Sequence, residues 1–231
     1  MEERIKLTEK SYALGSENLK KFGVTEEAIQ LANASVKSMT KIVSKSKELG
    51  SMLKLLLKNK ASYRFNHCQL ISCVAFHMVY KMPWSSKEQT EKISYVAYFH
   101  DILLESDEEV KIHTNSQLSK LYPLNEDEQR VKQHALQAAE LTLKFPNIPI
   151  GVDTIIKQHH GIKSGVGFME TPPVGLAPLA VLFIIAECFV HHLLEKGVDN
   201  INRVKIFEEM KEKYDDPKFH QAIEALKHSD V

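Results

Sequence analysis

Seven side chains in this 231-residue chain combine metal-binding types with placements that could bring them to one core: His67, the adjacent pair His100 and Asp101, His134, the adjacent pair His159 and His160, and Glu187. The His100-Asp101 pair lies near the end of the stretch 94–104, where positions 95, 96, 98, 99, 102 and 103 are apolar or aromatic. Burying an imidazole beside a carboxylate costs free energy unless something pairs with them. A divalent metal is such a partner, because neutral imidazole nitrogen and carboxylate oxygen are both good ligands. Glu187 makes the same point, flanked by Phe183, Ile184, Ile185, Ala186, Phe189 and Val190. A glutamate is almost never fully buried unless it is paired. Alone, His67 or His134 reads as an ordinary core or surface histidine. His159-His160 alone reads as a pair favoured by a helix C-terminus. Together, six or seven nitrogen and oxygen donors suit two metals such as iron, manganese or zinc, with Asp101 able to bridge through both oxygens. Such a pair lowers the pKa of a shared water and clamps a phosphate, which fits phosphodiester hydrolysis. The remaining histidines, His77, His113, His191, His192, His220 and His228, read as structural or surface residues.

Helical patterns position all seven. Thr25 reads as a cap, with Glu26 and Glu27 in the first turn. Apolar residues at 28, 29, 31, 32, 36, 39, 42 and 43 carry that helix to Gly50, and a short helix follows over 51–59. Residues 1–59 form an N-terminal helical extension with no chemistry of its own: a cap on the main domain, a linker or a homodimer surface. The main domain covers 60–231. Its first helix, 62–82, carries His67 and is stopped by Pro83. Ser86 caps the helix that leads to His100-Asp101. A polar loop over 105–113, a short helix over 116–122 and a helix capped by Asn125 follow, the last carrying His134. The helix 149–160 ends in His159-His160, and 161–173 is a loop. The helix 176–194 holds Glu187, and amphipathic helices over 201–214 and 217–227 close the chain. Strand patterns are missing, so the fold class is all-α.

Thirty basic and thirty acidic residues cancel, which removes any electrostatic case for bulk nucleic-acid binding. Cys68, Cys73 and Cys188 stand in apolar helical contexts and read as buried thiols of a reducing, cytoplasmic compartment. The start is charged and has no apolar leader segment. The window 174–194 is the most apolar, but it contains Pro178, Glu187, His191 and His192, so a core helix is expected rather than a membrane span.

The order and spacing of the seven donors resemble the HD superfamily of metal-dependent phosphohydrolases, and more closely its HD-GYP branch of cyclic di-GMP phosphodiesterases. The resemblance covers about residues 60–195. The segment 63–67 through Val74-Ala75 is similar to the first ligand helix, and His100-Asp101 to the name-giving motif. His134 and His159-His160 are similar to the later histidines, and Gly167-Phe168-Met169 falls where the GYP motif stands. The resemblance implies an HD-domain helical bundle around a dinuclear centre, with iron the first choice and manganese or zinc also suitable. One metal would take His67, His100, Asp101 and Glu187. The other would take His134, His159, His160 and the bridging Asp101. Asp101 and His100 would be the catalytic pair. Members with a third metal use a Glu four residues before the first histidine; that position is Tyr63 here, so two metals are expected.

The substrate side departs from the family. Its motif lysine is Leu104, its arginine is Ile162, and its GYP tyrosine is Phe168; Glu187 replaces an aspartate. Lys163 and Arg64 are the candidates to compensate as substrate-binding groups. The resemblance implies cyclic di-GMP or a related cyclic dinucleotide as ligand, hydrolysed weakly or bound without turnover. With Phe168 and Met169 expected to be exposed, the loop 161–173 is a candidate surface for a protein partner such as a diguanylate cyclase domain.

Overall fold

The computed structural model describes residues 19–21, 23–59, 62–123, 126–171, 174–196 and 202–227. Asn125, Pro172, Pro173 and His228, which figure in the readings above, lie outside these residues. The described residues form α-helices joined by turns and contain no strand, so the fold is all-α.

The helices are α1 (Glu26–Val43), α2 (Lys47–Lys58), α3 (Tyr63–Lys81), α4 (Lys87–Phe99), α5 (Asp107–Val110) and α6 (Asn115–Leu121). They continue with α7 (Glu126–Leu143), α8 (Val152–Gln158), α9 (Pro178–Lys196), α10 (Arg203–Lys213) and α11 (Pro217–Lys227). Hydroxyl caps set most of the starts. Thr25, Ser62 and Ser86 accept backbone N–H bonds from Ala28, Phe65 and Gln89, so α1, α3 and α4 begin where side-chain oxygens satisfy orphan donors.

Two boundaries differ from the sequence reading. The first helix stops at Val43 instead of running to Gly50. Thr40 and Ser44 turn their hydroxyls onto the Val36 and Thr40 carbonyls, and Ser46 caps a new helix that passes through Gly50. Gly50 fits there because α2 folds closely over the end of α1; a Cβ would stand 3.0 Å from the Val43 carbonyl oxygen. The stretch 105–113 is also not simply a loop. Ser106 caps the short α5, and the carboxylate of Glu109, buried beneath it, takes Arg130 of α7 and the Tyr122 hydroxyl.

At the centre α3 packs against α1, α4, α9 and α11, while α8 packs against α4, α7 and α9. One continuous apolar core runs from α1 to α11, so α1 and α2 share their buried side chains with the main bundle. The helix α9 is long and apolar enough to cross a membrane, but it is a core helix here, with 67% of its most apolar window buried. Cys68 and Cys73 are buried free thiols, and Cys188 is a half-buried one.

Candidate metal centre

The seven donors predicted from sequence converge. Asp101, His134, His159 and His160 form one group, and His67, His100, Asp101 and Glu187 form another; within each, the ligand atoms lie within 4.8 Å of one another. All seven residues are buried. They reach one place from five elements: His67 from α3, His100-Asp101 from just past the end of α4, His134 from α7, His159-His160 from just past α8, and Glu187 from α9.

Asp101 joins the groups. Its Oδ2 lies 3.2 Å from His100 Nε2 and 3.7 Å from His67 Nε2. Its Oδ1 lies 3.2 Å from His134 Nε2 and 3.6 Å from His159 Nε2. Glu187 Oε1 is 3.8 Å from His67 Nε2 and 3.9 Å from His100 Nε2.

The imidazoles are set to present lone pairs. His100, His134 and His159 place Nδ1 at 3.1, 2.5 and 2.6 Å from the carbonyl oxygens of Val96, Val131 and Ile156. An Nδ1–H donated to a backbone carbonyl leaves Nε2 unprotonated and aims it at a ligand. The Nε2 atoms then stand 3.3 Å apart for His67 and His100, 3.3 Å for His134 and His159, and 3.1 Å for His134 and His160. Two nitrogens each about 2.1 Å from one ion would be that far apart at an angle of about 95–105°, close to tetrahedral.

Whether a metal fits can be judged from the carboxylates. Asp101 Oδ1 and Glu187 Oε1 are buried without a hydrogen-bond partner, although nitrogens surround both. An N···O separation of 3.2 Å without hydrogen-bond geometry is what two ligands of a common ion show. Leaving such oxygens unpaired would cost several kcal/mol. Without a cation the electrostatics are divided. Burial alone would lower His100, but Asp101 beside it raises its pKa to about 9. Burial pushes Glu187 up, to about 8, with Asp101 opposing its ionisation as well. The residues can hold a metal ion.

The walls follow from packing. Phe183, one turn before Glu187 on α9, sets its ring edge-on against His100 at 5.2 Å. Phe168 packs against His160, its ring 4.4 Å from that of the histidine. Phe168 is 4% exposed and belongs to a small apolar cluster with Leu104, Val110, Ile112, Leu118 and Val131. This corrects the expectation of an exposed Phe168; Met169 is half-buried. The reason is that the loop is stitched into α7. Leu136 N–H and Lys132 C=O would be partners in a regular helix. Here they bond to Gly165 C=O at 3.1 Å and to Gly167 N–H at 2.7 Å, on either side of His134. A Cβ at Gly165, where φ is +76°, would stand 3.1 Å from both the Leu136 nitrogen and the Lys157 carbonyl oxygen.

The candidate substrate groups, Arg64 and Lys163, have neighbours of their own. The Arg64 guanidinium donates to the Leu104 carbonyl, and its backbone N–H goes to Asp107. Lys163 is exposed and lies over Gly175. His113, read from sequence as structural or surface, instead stands at the centre: it groups with His160 and Glu187, its Nδ1 4.0 Å from Glu187 Oε1. No helical periodicity marks it, because it sits in the turn between α5 and α6. A cavity of about 650 Å³ opens beside α1, α3 and α4, but none of the seven donors lines it.

No family model, curated protein or solved structure matches this chain.

Proposed function

We propose that the chain is a divergent HD-GYP-type metal-dependent phosphodiesterase, an HD-domain bundle whose two metals are held by His67, His100, Asp101 and Glu187 and by Asp101, His134, His159 and His160. The observation that carries the reading is the division of Asp101, one oxygen toward each group of histidines. When bound, a metal pair of this kind supplies an activated water and charge stabilisation for attack on a phosphodiester. The chain's own part is to orient. Backbone carbonyls of Val96, Val131 and Ile156 fix the imidazole tautomers. Phe183 packs against His100, and Phe168 against His160, as apolar walls beside the histidine cluster. Iron is the first choice of metal, with manganese or zinc next, and the resemblance points to cyclic di-GMP as substrate.

A second reading has its own observation. Leu104 and Phe168, where the resemblance places a lysine and a tyrosine, both lie in one buried apolar cluster beside His134 and His160. That wall offers no hydrogen bond to a substrate phosphate. It supports a module that binds metal and a cyclic nucleotide but turns it over slowly or not at all. A partner surface on loop 161–173 would have to use residues other than Phe168.

Cyclic di-GMP turnover by protein purified without oxygen and loaded with iron or manganese tests the first reading, with Asp101→Asn as control. Turnover abolished in the variant supports it. No turnover by metal-loaded protein, with the nucleotide still bound, moves the chain to the second reading.

A further inference from the structure

We propose that His113, His160 and Glu187 form a third cation position at the rim of the centre, suited to a divalent transition ion and weaker than the other two. The proposal rests on the two-metal reading above.

His113 stands to Glu187 as the other histidines do. Its Nδ1 is 4.0 Å from Glu187 Oε1, against 3.8 Å for His67 and 3.9 Å for His100 on the same oxygen. Two donors each about 2.1 Å from one ion stand about 3.0 to 4.2 Å apart, depending on the angle between them. All three separations fall in that range and are too long for hydrogen bonds. His160 completes the group, its ligand atom within 4.8 Å of the other two.

The second observation is what the neighbours leave undone. Glu187 Oε1, the oxygen that His113 Nδ1 faces, is buried without a hydrogen-bond partner; the other ring nitrogen, Nε2, is also unpaired but is not the atom turned to Glu187. The nearest ring to His113 is His191, edge-on at 4.2 Å. His191 spends its own nitrogens elsewhere, with Nε2 3.1 Å from Glu195 Oε2 and Nδ1 3.4 Å from the Tyr63 hydroxyl. His191 therefore buttresses the His113 ring without satisfying it. The backbone N–H of His113 is tied to Gln117 Oε1 at 2.8 Å, which fixes the turn.

Position and charge set the affinity. The His113 side chain is 17% exposed, more than Asp101 or Glu187, so an ion arriving from solvent meets this rim. Among the described residues the site has three protein donors, and two are shared with the other groups. A third divalent ion would also sit among positive charge that only Asp101 and Glu187 offset, which repels it. An imidazole nitrogen has one lone pair, so His160 serves one ion at a time. Loading the rim therefore leaves the second metal with Asp101, His134 and His159.

The test is a calorimetric titration of metal-free protein with Mn²⁺, and with Co²⁺ followed by its visible absorption. The expected result is two tight equivalents and a third at least about tenfold weaker, the third altering the cobalt spectrum already formed. His113→Asn and His113→Gln should lose only the weak equivalent and keep both tight ones, with circular dichroism and melting unchanged. A wild-type titration that stops at two equivalents overturns the proposal and leaves the two-metal reading intact. So does a weak equivalent that persists in both variants. A wild-type protein that takes up no ion removes both readings.

Discussion

The ring of Phe168 lies 4.4 Å from the ring of His160, centroid to centroid, tilted by 54°. A loop residue thus forms the wall behind a candidate metal ligand. Phe168→Ala should destabilise the metal-free protein by about 3 kcal/mol, the usual scale for emptying a buried aromatic site. It should also weaken the metal held by His134, His159 and His160 more than the one held by His67, His100 and Glu187. Urea unfolding and metal titration of the variant measure the two effects; equal weakening of both metals would contradict the assignment.

The two donor groups should be separable. His67→Ala is expected to remove one tightly bound equivalent of metal, and His134→Ala the other. Asp101→Asn should lower both affinities by at least about tenfold, since it faces both groups. Elemental analysis after desalting reads this directly. Loss of only one equivalent in Asp101→Asn would show that Asp101 serves a single ion.

Metal-free protein should be most stable near neutral pH. Burial first of all holds His67 at about 3 and His159 at about 4, and lowers His113 and His160, against an ordinary value of 6.5. The unfolded chain binds more protons at these four, so stability falls as pH drops below about 6.5. His100 has a folded value of about 9, so its contribution is full below 6.5 and is lost as pH rises through 9. Glu187, at about 8, keeps a proton the unfolded chain has released, and that contribution is also lost on the alkaline side. On the acid side four histidines outweigh this one carboxylate. Saturating divalent metal should abolish the alkaline decline, because it binds the deprotonated forms. Urea midpoints from about pH 5 to about pH 9, with metal and with chelator, check it; a metal-free midpoint still rising at the alkaline end would refute it.

Gly165→Ala should cost about 1–3 kcal/mol, because its φ of +76° and two backbone atoms at 3.1 Å leave no room for a methyl group. Faster hydrogen exchange should appear at Leu136 and Gly167, whose N–H groups tie the loop to α7. Unchanged exchange at those two amides would show that the stitching does not depend on the glycine.

Glu109 is 2% exposed and accepts both guanidinium nitrogens of Arg130 and the Tyr122 hydroxyl. Arg130→Met should destabilise by about 2–3 kcal/mol, reduced from the fully buried case because Arg130 is partly solvated. Chemical denaturation measures it, and a neutral variant would mean that water replaces the guanidinium.

The all-helical fold, most helix starts and the seven candidate donors that converge were legible in the sequence by itself. Caps such as Thr25, Ser62 and Ser86 act within three residues of themselves, and a carboxylate inside an apolar run, such as Glu187, advertises its need for a partner. The tertiary structure alone decided what depends on contacts distant in sequence. It buried Phe168 by bonding its loop to α7 and turned Arg64 onto Leu104. It also brought His113 to Glu187, 74 residues away, from a turn whose local pattern carries no sign of burial. Local propensity and periodicity describe a segment against water; these three outcomes depend on which other segment replaces the water.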